Sequence, residues 1–253
     1  CPHRGAFYAV KVAVAREQKE RAKTGREFSQ AIYCGDIGCY TLGNAAPLNM
    51  VDTCLCMGAG ITIAQGLGHA DGRSINFAFT GDSTFFASGI TGTVNAVYNQ
   101  SDMILCVLDN STTAMTGHQP HPGMGITMMG ERVAPIDIAK VLEGIGVESI
   151  RTVDPLDLEA SVDAVRAAMN ATGVRAIIFK SPCIVIVPPG APYGIEDSCI
   201  GCMRCISEIG CPAMVPYTDD GGSTPGKKVR IDRSLCTGCG LCTQVCPARC
   251  IRK

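Results

Sequence analysis

Two cysteine runs near the end of the chain, "CIGCMRCISEIGCP" (199–212) and "CTGCGLCTQVCP" (236–247), limit most sharply what it can fold into. The second reads C-x2-C-x2-C-x3-C-P, and the first C-x2-C-x2-C-x5-C-P. Three thiolates at such short intervals can wrap three irons of one cubane, and a fourth followed by proline turns away toward another. This spacing assigns Cys199, Cys202, Cys205 and Cys246 to one [4Fe–4S] cluster, and Cys236, Cys239, Cys242 and Cys211 to a second. Zinc competes for such residues, but its sites prefer two C-x2-C pairs over paired triplets. Disulfide scaffolds are short and loop-rich throughout, whereas here nine of 16 cysteines crowd into the last 55 residues. The pattern points to an electron relay in a reducing cytoplasm. Cys250 lies outside the motif and reads as a bystander.

The residues before the runs follow a different rule. Helical patterns at 3–23, 57–70, 85–100, 134–146 and 155–172 alternate with apolar strand runs at 28–38, 74–82, 102–110, 147–153 and 174–183. Such alternation builds right-handed βαβ units and a mostly parallel sheet. "MGAGITIAQGLGHA" keeps several glycines in a helix at about 1 kcal/mol each against alanine, so its backbone is expected to approach something closely. "VPPGAPYG" (187–194) reads as a linker, which divides the chain into residues 1–186 and residues 187–253. A hydrophobic content of 46% permits a packed core, and a net charge of −1 without a basic run argues against nucleic acid or membrane surfaces as partners. No apolar run reaches the ~18 residues of a membrane span, and no signal peptide is visible. The opening "CPHRG" has no Met and reads as part of a longer chain.

"TGDS" (80–83) closes one buried strand and "LDNST" (108–112) closes the next. In an open parallel sheet, ligands bind at the carboxyl ends of strands. Asp82 and Asn110 are one strand–helix–strand unit apart, so their side chains can converge on a single edge. With a nearby carbonyl they make a hard oxygen site suited to Mg²⁺ and phosphate. Taken singly, Asp82 also reads as a helix cap and Asn110 as a turn residue.

These stretches carry a resemblance. "GDS", a 25-residue gap and "DN" resemble the thiamine-diphosphate motif. "GDIGCYTLG", "MGAGITIAQGLGHADG", "TGDSTFFASGI" and "LDNSTTAMTGHQPHPG", followed by the two cysteine runs, are similar to the carboxyl-terminal part of the large (alpha) subunits of the indolepyruvate:ferredoxin oxidoreductase family. The likeness covers essentially the whole chain. It implies an α/β fold: a thiamine-diphosphate-binding parallel-sheet domain, then a small α+β bacterial-type 2[4Fe–4S] ferredoxin domain. Ser83 departs from the general thiamine motif and agrees with this family.

The resemblance implies roles for particular residues. Asp82 and Asn110 would hold Mg²⁺ by side chain and Thr112 by its backbone oxygen. Gly81 and Ser83 would lie against the diphosphate. Met57, beside Gly58, would prop the cofactor in its bent form; ordinary core filling is the alternative. Gly35, Asp36, Gly38 and Cys39 would form the turn beside diphosphate or substrate, with a simple hairpin turn as the alternative. His118 and His121 would lie over the reacting centre, where a histidine can bind a carboxylate or move a proton. Loop structure is their other reading, and zinc is disfavoured because no third ligand stands nearby. His3 and Arg4 read either as a helix start or as an anion contact. The implied activity is oxidative decarboxylation of aryl pyruvates such as indolepyruvate, with coenzyme A taking the acyl group and two electrons leaving through the clusters to ferredoxin. Pyruvate or 2-oxoglutarate as substrate, or a non-catalytic electron-transfer module, are the alternatives. The partners implied are a small (beta) subunit and ferredoxin. Thiamine enzymes also take an activating glutamate from a second domain, expected here from a preceding region or another chain.

Overall fold

The computed structural model describes residues 1–25, 27–219 and 226–253. It divides into two compact units. Cys1–Ala45 with Asn49–Cys183 form the first, and Ala46–Leu48 with Ile184–Lys253 form the second. The change of unit after Cys183 falls three residues before the boundary drawn from the linker composition.

In the first unit, five parallel strands form one sheet: β1 (Ala31–Cys34), β2 (Ile75–Gly81), β3 (Met103–Asp109), β4 (Ser149–Val153) and β5 (Val174–Lys180). Their order is β1-β2-β3-β5-β4. β2 and β3 sit inside the sheet with helices on both faces, which is why they are almost wholly apolar and nearly every residue is buried. The edge strand β4 is half exposed, and its sequence "SIRTV" is correspondingly mixed. Gly81 pairs with Leu108 and Asp109 with Lys180, so the carboxyl ends of β2, β3 and β5 finish level with one another. Phe7, Phe77, Phe79, Phe85 and Phe179 are fully buried in the core. Truncating any of these to alanine costs about 3–5 kcal/mol.

Helices α1 (His3–Lys23), α2 (Ala59–Asp71), α3 (Asp82–Thr84), α4 (Ile90–Tyr98), α5 (Ile138–Ile145) and α6 (Leu158–Met169) cover the sheet. The glycines of α2 do permit close approach: a Cβ at Gly60 would stand 2.6 Å from the Gly35 carbonyl oxygen. The helix expected at 85–100 starts differently. It opens with the single turn α3, widens into a π turn over Phe85–Gly89, and regains α geometry at Ile90. Across that segment Gly89 and Gly92 pack against Ile61 of α2, where added Cβ atoms would meet its side chain at 3.2 Å. Backbone-close packing on one side and a fixed strand end on the other are accommodated by one extra residue in the turn.

The second unit is a small α+β arrangement. β6 (Gly194–Ile195) pairs antiparallel with β9 (Ile251–Arg252), and β7 (Met214–Asp219) with β8 (Gly226–Ile231). Two short helices, α7 (Arg204–Ser207) and α8 (Leu241–Val245), lie between them in sequence. Its apolar cluster includes Cys205, Cys242 and Cys250 beside Met214, Val229 and Ile251, so thiols make up much of its interior. Among the described residues, no helix is long and apolar enough to cross a membrane.

Candidate functional site

At the carboxyl ends of β2 and β3 the first unit opens into a cavity of about 120 Å³. Its floor is anionic. Asp82 is buried, and its Oδ2 accepts hydrogen bonds from the backbone N–H groups of Asn110 (3.1 Å) and Ser111 (2.8 Å), while Oδ1 accepts from Ser83 (2.8 Å). One carboxylate thus fixes the first residues after both strands. Asp109 stands beside it, bonded to the Ser111 N–H at 3.0 Å and 3.5 Å from Lys180 Nζ. Burial, and then the Asp82 charge, push the Asp109 carboxyl upward.

Asn110 turns its amide into the same space. Its Oδ1 accepts the Thr112 N–H at 3.3 Å, and its Nδ2 lies 3.1 Å from Nε2 of the buried His3. Burial lowers the His3 ring to about 4, with the Asp82 carboxylate pulling the other way. His3 therefore reaches the site from the first turn of α1 as a neutral ring. The hydroxyl of Thr112 is buried without a partner. Two neighbouring carboxyls, an amide oxygen and an unpartnered hydroxyl make an oxygen-rich set that fits a hard divalent cation.

The expected turn residues divide into two groups. Gly38, Cys39 and Met57 line the cavity, as do Gly81, Asp82, Ser83, Asn110 and Thr112. Met57 is half exposed, unusual for a methionine and suited to a residue that supports a bound ring. Gly35, Asp36 and Gly58 lie behind the wall instead. Asp36 is fully buried, its Oδ1 accepting from the N–H groups of Ile37 and Gly58 (2.7 Å each) and its Oδ2 from Thr80 Oγ1 (3.0 Å) and Tyr40 Oη (3.3 Å). Burial raises its carboxyl, and these four donors oppose the shift. The reading of Asp36 as a cofactor contact is thus corrected: all its acceptor capacity goes into joining the turn after β1, the start of α2 and the end of β2. Gly35 packs on Val51 and the Thr53 carbonyl, and Gly58 (φ +87°) leaves room for Ser88.

Sequence reasoning missed Tyr40. Its hydroxyl also meets the Ile37 carbonyl (3.2 Å) and Thr84 Oγ1 (3.1 Å), and its ring stands edge-on to His3. A Cβ at Gly38 or Gly81 would fall 2.4 or 2.6 Å from that ring. Both glycines are therefore required by Tyr40 first, whatever they offer a ligand. Two glycines 43 positions apart give no hint in sequence that they share one ring.

The two histidines separate. His121 is buried, stacks on Phe86, and accepts from the Gly123 N–H through Nδ1. Its Nε2 lies 3.1 Å from Asp82 Oδ2 but out of line for a hydrogen bond. It stands at the carboxylate end of the site. His118 is exposed at φ +64° and does not line the cavity. The loop is tied to α3 by Thr113, whose hydroxyl donates to Ser83 Oγ at 2.8 Å.

In the second unit the thiols gather in two sets. Burial pushes the Cys205 thiol up to about 11, with Cys199, Cys202 and Cys246 adding to it. Burial pushes Cys242 up to about 12, with Cys239, Cys211 and Cys236 among the contributors. In both cases the neighbours are the other two leading cysteines of the same run and the last cysteine of the other run, and Cys205 acts on Cys242 as well. Cys199, Cys202, Cys205 and Cys246 border one common cavity. Cys250, expected to be a bystander, borders the same cavity, with its Sγ 3.5 Å from that of Cys246.

Comparison with known proteins accords with this division. The profile of the thiamine pyrophosphate enzyme C-terminal TPP binding domain matches residues 36–179, and that of the 4Fe-4S binding domain matches 229–252. The chain belongs to the thiamine pyrophosphate enzyme family through that C-terminal TPP binding domain, and carries a 4Fe-4S ferredoxin-type domain behind it. Over its full length it is 39% identical to indolepyruvate oxidoreductase subunit IorA of Archaeoglobus fulgidus, and over 98% of its length 38% identical to that of Thermococcus kodakarensis. It spans 38% of the length of each of these curated relatives. In fold it is similar to 2-oxoglutarate:ferredoxin oxidoreductase from Magnetococcus marinus, at TM-score 0.60 and 18% identity over 72% of this chain and 62% of that one.

Proposed function

We propose that this chain is the thiamine-diphosphate and electron-carrying part of a 2-oxoacid:ferredoxin oxidoreductase acting on aryl pyruvates such as indolepyruvate, with coenzyme A as acyl acceptor. The observation that carries the reading is the pairing, in one chain, of an oxygen-lined cavity at the ends of β2 and β3 with two cysteine runs of ferredoxin spacing. The names of the relatives support the substrate class. Asp82 and Asn110 would hold Mg²⁺ by side chain and Thr112 by its backbone oxygen, and the ion would in turn bind the diphosphate. Bound thiamine diphosphate supplies the electron sink for loss of CO₂ from a 2-oxoacid.

The remaining work falls to this chain's own residues. Asp36 and Tyr40 hold the turn over Gly38 and Cys39 in place. Met57 supports the ring from the side. His121, stacked on Phe86, positions the loop against Asp82 and can hold or move a proton there. The cysteines of the two runs would hold two [4Fe–4S] clusters, and such clusters take up one electron each and would hand them to an external ferredoxin. A small subunit is the expected partner, and the cytoplasm the expected compartment.

The test uses the full-length protein with its partner subunit. Dye reduction is measured with indolepyruvate, phenylpyruvate, pyruvate and 2-oxoglutarate, with and without coenzyme A. Turnover preferring the aryl substrates and requiring coenzyme A is expected. Preference for pyruvate or 2-oxoglutarate would replace the substrate assignment. Absence of Mg²⁺-dependent thiamine-diphosphate binding by calorimetry would replace the enzyme with an electron-transfer module.

A further inference from the structure

The two cysteine runs end alike, but not identically. After Cys211 the chain reads "CPAMV", and after Cys246 it reads "CPARC". Position four after the proline-flanked ligand is Val215 in one run and Cys250 in the other. The second run therefore brings a fifth sulfur to the set formed by Cys199, Cys202, Cys205 and Cys246. No such sulfur follows Cys211.

The local backbone delivers that sulfur to a defined place. Arg249 adopts φ +51°, and its N–H donates to the Cys246 carbonyl at 3.1 Å, which turns the chain back on itself. The Cys250 carbonyl accepts the Glu196 N–H at 2.8 Å, and the next residue pairs with Ile195 in the β6–β9 ladder. Cys250 is 2% exposed, so its thiol has no water to bond. Its Sγ lies 3.5 Å from Cys246 Sγ, and it also interacts with Cys199, a second ligand of the same set.

We propose that Cys250 is a positioning residue of the first cluster, whose thiol donates an S–H···S hydrogen bond to the ligand sulfur of Cys246 and raises that cluster's reduction potential. The direction follows from the chemistry. Once Cys246 binds iron it is a thiolate without a proton, so Cys250 is the donor of the pair. A donor aimed at a ligand sulfur stabilises the more negative, reduced cluster. The second cluster has valine at the matching position and lacks this contribution. The inference rests on the two-cubane reading of the tail.

The experiment uses the full-length protein assembled with its partner under anaerobic conditions. The parent, Cys250→Ala and Cys250→Ser are compared by iron content and by redox titration followed by EPR. The expected result is about eight irons per chain in all three, from two four-iron cubanes. The first cluster's potential should shift down in Cys250→Ala and recover at least in part in Cys250→Ser, whose hydroxyl still donates. The second cluster should not move. An unchanged first potential in Cys250→Ala at full iron content overturns the proposal alone. Loss of about four irons in Cys250→Ala also overturns it, by making Cys250 a ligand. A parent without two cubanes overturns the proposal and the cluster reading together.

Discussion

The two units reach their functional groups by opposite routes. In the first, a sheet built from buried apolar strands brings Asp82, Asn110 and Thr112 to one edge, and hydrogen bonds among protein groups alone hold them there. In the second, strands of two to six residues surround an interior that is largely sulfur. The first site is held by hydrogen bonds within the fold itself. The second unit is small, and a domain of that size depends on bound metal for much of its stability. The same chain therefore contains a fold that shapes a site and a set of ligands that shapes a fold.

Removing iron is the strongest way to break this contrast. Hydrogen exchange on the full-length protein, with and without chelation, should show amide protection lost in β6–β9 and β7–β8 but kept in β2 and β3. Equal loss in both units would erase the distinction. Next in size is Asp36→Ala, which leaves two backbone N–H groups and two hydroxyls without their acceptor. It should cost the first unit about 3–5 kcal/mol in urea unfolding, against about 1 kcal/mol for Asp36→Asn, which keeps an oxygen for the N–H pair. A small effect of Asp36→Ala would mean the wall is not held as described.

Asp82→Asn tests function apart from fold. Thiamine-diphosphate binding in the presence of Mg²⁺ should weaken by about a hundredfold, near 2.7 kcal/mol. The metal-free melting temperature should change little, because relief between two adjoining buried carboxyls offsets the loss of an accepted backbone hydrogen bond. The smallest effect is expected at Glu17, on the buried face of α1. Burial there is outweighed by Arg21 at 3.0 Å, Asn170, and Arg166 at 3.6 Å, which hold its carboxyl below the ordinary 4.5. A depressed carboxyl stabilises the fold above that value and ceases to as pH falls through its folded value. Glu17→Gln should cost up to about 1 kcal/mol at pH 7, with the gap closing below about pH 4.5. A gap that persists in acid would assign the loss to packing.

Much of the fold was legible because local composition decided it. β2 and β3 are continuous apolar runs ending in Asp and Asn, and a parallel sheet leaves such runs only one arrangement. The 4Fe-4S character of the tail was legible for the same reason, since its cysteine spacing is set within each run. What escaped depends on contacts between distant residues. Tyr40 explains Gly38 and Gly81 only once three segments are folded together. Asp36 resembled a ligand contact because a buried carboxylate serving four protein donors has the same sequence as one serving a cofactor. Asp109 was overlooked inside "LDN" because its neighbour carried the motif. Cys250 was dismissed because the run was read as ending at its proline, whereas the turn at Arg249 returns the chain to the cluster.

The adjoining carboxylates at the cavity floor also bear on kinetics. With two carboxyls, Asp82 and Asp109, side by side and burial holding His3 neutral, the cavity floor has little positive charge with which to draw in an anion. A free diphosphate approaches against that field, and the same molecule already carrying magnesium approaches nearly without it. Loading should thus proceed as delivery of a metal–diphosphate complex, with an association rate set by how much of the cofactor in solution has already taken up its ion.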